Sequence, residues 1–176
     1  MATKTKPFRI LALDISTNPG FAVVEITQLK AGPRVKLTHV SSVQTDTDHT
    51  DAQRYAVIAA QTTIVLHRFG PFDAVVREHY TKGRNKRATQ TVFGAWAAID
   101  GALAAYGYVV DAEITPNAVK KAATGKGNAS KEEVEDGVRQ AFGLGAEFTF
   151  KTDDESDAAA IALAYAKQRG LIKEDD

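Results

Sequence analysis

From residue 8 onward, short β-rich apolar runs alternate with clusters of turn-formers, and this pattern predicts the first elements of the chain. Phe8 to Asp14 and Phe21 to Ile26 read as strands, and Ser16-Thr17-Asn18-Pro19-Gly20 between them suits a hairpin connection. Lys30-Ala31-Gly32-Pro33 marks a second turn, with Val35 to Val43 as a third strand. From about Asp51 to Phe69, Tyr55, Ile58, Ala59, Thr62, Val65, Leu66 and Phe69 recur at three- and four-residue steps, which describes one face of a helix closed by Gly70-Pro71. Asp73 to Arg77 reads as a short buried strand arriving at Glu78. Thr89 to Tyr106 carries Val92, Phe93, Trp96, Ile99 and Leu103 at helical spacing, and Tyr108 to Ala112 reads as a fifth strand. Pro116 suits the start of a short helix, and Ser130 with Glu133 has the capping-box pattern of a helix ending near Gly143. Thr152 and Glu155 repeat that pattern ahead of a last helix running to about Gln168. Three hairpin-joined strands followed by alternating strands and helices predict an α/β fold, a three-layer α/β/α domain around a mixed five-stranded sheet.

Composition narrows the picture. With 176 residues, 44% of them hydrophobic, the chain suits one domain spanning 1–176, with short flexible ends expected at about 1–6 and 171–176. The absence of cysteine excludes disulfides, thiolate zinc sites and cysteine nucleophiles, and fits a reducing, cytoplasmic setting. Ile10-Leu11-Ala12-Leu13 is too brief for a signal-peptide core or a membrane span, so no membrane association is expected. The 22 basic and 22 acidic residues cancel, which removes any argument for strong nonspecific polyanion binding from the total charge. Their distribution is more informative. Lys82, Arg84, Lys86 and Arg87 cluster, Lys120, Lys121, Lys126 and Lys131 follow, and acids gather at 153–157. A surface divided in this way can hold phosphates beside an acidic, metal-binding pocket.

The acids carry the candidate chemistry. Asp14 ends a strand otherwise fit for the centre of a sheet, and burying a lone carboxylate there costs several kcal/mol unless a cation or hydrogen-bond donors compensate it. A metal would do so; so would a turn at Ser16-Thr17 capped by Asp14. Glu78 repeats the situation at the end of AlaValVal. Asp154 and Asp157 lie three residues apart on one helix face and repel each other unless a cation lies between them. The helix dipole alone accounts for acids in a first turn, Asp153 and Glu155 included. Asp157 is further in and precedes AlaAlaAlaIleAlaLeuAla, a stretch expected to pack on the sheet and bring Asp157 with it.

Four segments, in order, resemble RuvC-type Holliday-junction resolvases of the ribonuclease-H-like superfamily: Ile10 to Ala22 with Asp14, Phe72 to Glu78, Gly125-Lys126-Gly127-Asn128-Ala129-Ser130-Lys131, and Asp154 to Ala162. They are spread across most of the span from residue 8 to residue 168. The resemblance implies an endonuclease that resolves four-way or other branched DNA by paired nicks. It implies two Mg²⁺ ions, or Mn²⁺ in substitution, held by Asp14, Glu78, Asp154 and Asp157 against a DNA phosphate, with Asp14 bridging both. It also implies a homodimer formed by the helix around Phe93, Gly94, Trp96 and Ile99, with Trp96 as plain core the alternative. Tyr80, beside Glu78, suits stacking on an unpaired base, with Lys82, Arg84, Lys86, Arg87, Lys126 and Lys131 as phosphate contacts. A role for His79 behind Glu78 is open. Arg77 before the glutamate and the strongly basic loop after it depart from the family pattern and would suit a phage-type member with its own substrate preference. Other readings are a nuclease of the same fold acting on flaps, Y-junctions or RNA, and a non-catalytic junction binder, which would be expected to lack one of the four acids. The first hairpin also resembles the phosphate-binding hairpin of actin-like ATPases and sugar kinases, which need a second domain to enclose ATP.

Overall fold

A computed structural model describes residues 6–80 and 85–173. Strands β1 (Phe8–Asp14), β2 (Gly20–Leu29), β3 (Gly32–Ser42), β4 (Ala74–Glu78) and β5 (Ala112–Ile114) form one sheet in the order β3-β2-β1-β4-β5. β1 pairs antiparallel with β2, and β2 with β3, whereas β1–β4 and β4–β5 are parallel. The sheet is therefore mixed and five-stranded, as expected.

Side-chain alternation along the strands divides the core. Leu11, Leu13, Phe21, Val23 and Val75 face helices α1 (Asp51–Phe69) and α2 (Lys86–Ala105), where Ile58, Val65, Ala95, Ile99 and Leu103 meet them. Ile10, Ala12, Ala22, Val24, Ala74 and Val76 face the other way, toward α3 (Pro116–Thr124), α4 (Lys131–Phe142) and α5 (Asp153–Gln168). Helix α5 touches all five strands. Its run from Ala158 to Ala166 is buried throughout, because alanines keep the helix surface thin enough to lie directly on the sheet. Leu171 and Ile172 pack against this same layer. On the opposite layer Gly94 lets α2 close on α1, where a Cβ would collide with the Tyr55 ring.

Several features differ from the sequence expectation. β2 runs on to Leu29 and β3 starts at Gly32, which leaves Lys30-Ala31 as the turn. Tyr108 to Asp111 is not strand: the Tyr108 hydroxyl accepts from the Phe72 amide at 3.1 Å, and the Asp111 carboxylate accepts from the Val75 amide at 2.8 Å. The Asp111 amide also donates to the Val75 carbonyl at 2.8 Å, but β5 itself starts only at Ala112. Helix α2 begins at Lys86 rather than Thr89, because the Asn85 side chain caps it by accepting from the Ala88 amide at 2.8 Å. Thr152 forms no capping box, since Glu155 turns its carboxylate to the Lys151 amide at 2.8 Å. Ser130 and Glu133 do form theirs at the start of α4. Among the described residues, no helix is long and apolar enough to cross a membrane.

Candidate active site

The face of the sheet that α5 covers carries the acids. Even-numbered positions of β1 and β4 point to that face, so Asp14 follows Ala12 and Glu78 follows Val76 toward the first turns of α5. Gly20 stands opposite Asp14 in the β1–β2 register, and a Cβ at Gly20 would collide with the Asp154 carbonyl. This close approach brings the amino end of α5 down onto the strand end. The hairpin beneath is fixed by Asn18, whose side chain accepts from the Thr45 amide at 2.8 Å.

Electrostatics record how the four carboxylates meet. Burial, followed by the charges of Asp157, Glu78 and Asp154, pushes the Asp14 carboxyl well above the usual range, against the opposing charge of Lys131. Burial and then Asp157 push Glu78 up to about 7, with Lys120 and Lys131 working against the rise. Burial also raises Asp154 and Asp157. Asp153, by contrast, is exposed, and Asp14 feels Asp154 rather than Asp153. Lys131, at the start of α4, places its ammonium 3.1 Å from the Asp153 carboxylate and 3.7 Å from that of Asp157. Burial works to lower its pKa, but the Asp153 hydrogen bond and the charge of Asp157 hold it above the ordinary lysine value.

Oxygen-only donors that repel one another suit a hard divalent cation, whose charge would relieve the repulsion. Among the described residues, no three acids or histidines are drawn in closely enough to enclose an ion as they stand. The donor chemistry fits such a cation, and a positive charge already lies beside the acids in the form of the Lys131 ammonium.

The remaining expected residues are dispersed around this centre. Lys82 and Arg84 lie outside the described residues. Lys86 and Arg87 belong to the first turn of α2 rather than to a loop, and Arg87 pairs with Asp51 of α1 at 2.7 Å. Lys126 lies 3.6 Å from Glu133. The Tyr80 ring packs against Phe93 and Trp96, and its hydroxyl donates to Thr89 at 3.2 Å. His79 turns away from Glu78 and bonds Glu113 at 2.8 Å. In the helix expected at a dimer interface, Ile99 is core and Gly94 serves the α1 contact, whereas the Phe93 ring remains 48% exposed. Lys120 was visible in the sequence only as one of a basic group, and its field on Glu78 singles it out.

Comparison with known proteins identifies the family. Residues 10–165 match the family model described as "Crossover junction endodeoxyribonuclease RuvC". The chain is 35% identical over 164 residues to the enzyme of that name from Rhodospirillum rubrum, covering 92% of this chain and 90% of that protein. The Thermus thermophilus RuvC structure superposes with a TM-score of 0.77 at 31% identity, covering 94% of this chain and 99% of that one. The same protein in complex with a Holliday junction substrate gives 0.79 at 30% identity, covering 94% and 98%. The fold is thus that of ribonuclease H-like nucleases, and the chain belongs to the RuvC family of crossover junction endodeoxyribonucleases.

Proposed function

We propose that this protein resolves four-way DNA junctions by paired nicks as a homodimer, each protomer using Asp14, Glu78, Asp154 and Asp157 to hold two Mg²⁺ ions that Mn²⁺ can replace. The observation behind the reading is the convergence of four carboxylates from three distant chain segments, each carboxyl raised above its ordinary pKa. Nucleases of this family are metal-dependent. When bound, divalent cations supply the charge that activates an attacking water and offsets the developing charge on the leaving 3′-oxygen. The chain's own part is positional. Asp14 and Glu78 present carboxylates from strand ends, and Asp154 and Asp157 face them from a buried helix. Lys131 exchanges its contacts with Asp153 and Asp157 for the non-bridging oxygen of a phosphate, and Lys120 stands beside Glu78 to hold the strand's backbone. Tyr80 offers a ring for an unpaired base, and Lys86, Arg87 and Lys126 are phosphate contacts, as are Lys82 and Arg84 on the sequence reading alone. Two-fold symmetry then sets two such sites on the two opposed strands of a junction, with Phe93 as an apolar contact between protomers. Bacterial relatives of this class act on DNA, and a cytoplasmic location follows from that role.

The test is cleavage of a labelled four-way junction, a matched Y-junction and a linear duplex in Mg²⁺, in Mn²⁺ and in EDTA, alongside a solution mass measurement at micromolar concentration. Symmetric, metal-dependent nicks in the four-way junction by a dimer are expected. Equal cutting of the Y-junction would make the protein a general branched-DNA nuclease, and binding without cutting in either metal would make it a junction-binding module.

A further inference from the structure

Glu78 and Asp14 each have one sheet partner, but that of Glu78 lies on a strand of three residues and that of Asp14 on one of ten. The β1 side of β4 supports the strand only as far as the Leu13–Arg77 pair, one residue short of Glu78. Beyond that point the backbone rests on β5, an edge strand of three residues, through the Glu78–Ile114 pair and the His79 amide, which donates to the Ile114 carbonyl at 2.7 Å. So short an edge strand gives little hold of its own.

Side chains add to it on the face turned away from the acids. Arg77 and His79 flank Glu78 and, by strand alternation, share that opposite face. One carboxylate grips both: Glu113 of β5 accepts from the Arg77 guanidinium through Oε1 at 2.7 and 3.0 Å, while its Oε2 lies 2.8 Å from His79 Nδ1. Arg77 is itself fixed. Its guanidinium lies 3.7 Å from the centre of the Trp96 ring, bonds Asp100 at 2.9 Å, and has a side chain only 11% exposed. Hydrogen bonds with Arg77 and then His79 hold the Glu113 carboxyl below its ordinary pKa, so it stays charged.

We infer that Glu113 is a positioning residue: by clamping Arg77 and His79 to β5 from behind, it fixes the strand end that aims Glu78 at the other acids. The inference rests on the nuclease reading and adds a residue bonded to the neighbours of Glu78 on the face turned away from the acids. Groups that orient those holding a metal typically contribute 10–100-fold in activity or metal affinity.

The variants are Glu113→Ala, which removes the clamp, and Glu113→Gln, which keeps an acceptor for Arg77. Single-turnover cleavage of a four-way junction should fall about 10–100-fold in E113A and stay within about threefold of wild type in E113Q. Junction affinity in EDTA should be unchanged in both, and the metal concentration for half-maximal cleavage should rise in E113A. In the metal-free protein, amide exchange should speed up at His79 in E113A while the α5 amides stay protected, a readout independent of activity. Wild-type cleavage by E113A, or unaltered exchange at His79, would overturn the clamp. Accelerated exchange throughout α5, repeated in E113Q, would overturn it in favour of a general stabilising role. A wild-type protein that fails to cut would instead refute the nuclease reading, and the exchange measurement would still decide the clamp.

Discussion

Replacing Glu78 by Gln should make the metal-free protein more stable and do so increasingly as the pH rises. The carboxyl of Glu78 moves from an ordinary 4.5 to about 7 on folding, because burial and Asp157 disfavour its charge. The folded state therefore holds this proton more tightly than the unfolded chain. The resulting stability is fully present below about pH 4.5 and is lost as the pH climbs through about 7. At about 1.36 kcal/mol per unit the loss by neutral pH is at most roughly 3 kcal/mol, and screening of a partly exposed group reduces it to about 1–2 kcal/mol. In a domain of this length that amounts to roughly 2–8 °C in melting temperature. Glutamine has the same shape and no charge to desolvate. Thermal unfolding in EDTA at pH 5 and pH 8 should show the variant's advantage over wild type growing by about that amount. Added Mg²⁺ at pH 8 should stabilise wild type more than the variant, because only wild type keeps all four carboxylates. A melting difference that is the same at both pH values would refute the argument, since the excess proton affinity of Glu78 could not then be real.

Asp14→Asn should abolish cleavage while leaving junction binding in a gel-shift assay intact, and loss of binding as well would make Asp14 structural. Gly20→Ala forces a Cβ against the Asp154 carbonyl, so urea unfolding should show a loss of about 1–3 kcal/mol. Cleavage by that variant should drop even at temperatures where it is fully folded, because the displaced turn carries Asp154. Lys131→Met should lower the single-turnover rate on the order of a hundredfold, the usual cost of removing one group that stabilises developing charge. A rate within a factor of two of wild type would confine Lys131 to pairing with Asp153 and Asp157.

The sheet was legible from local pattern because it depends on neighbours in the chain, whereas the acids stood out singly only as candidates and became a set through the family resemblance. Asp14 follows four apolar strand residues, and Ala158 to Ala166 declares a helix meant for close contact with a sheet. What stayed hidden depends on distant partners. Tyr108-Val109-Val110 has every local mark of a strand, yet Tyr108 is drawn to Phe72 and Val109 is left 73% exposed. Asn85 and Lys86 looked like loop until a cap defined α2, and Glu155 left its expected cap for the Lys151 amide. Gly20 was legible as a turn residue, whereas its service to Asp154, more than a hundred residues further on, was not. Lys120 and Glu113 offered only charge in the sequence, because their significance comes from which strand ends they face.

The placement of α5 makes the gathering of the acids a late event, because α5 follows every strand of the sheet in the chain. Chains emerge amino end first, and early units can fold before later ones exist. Until α5 arrives, the sheet face carrying Ile10, Ala12, Val24 and Val76 lacks its cover, and Asp14 and Glu78 have no partners across from them. The step that seals the core is thus the step that assembles the acids, so, on the function proposed above, a nascent chain should nick no DNA before α5 has folded.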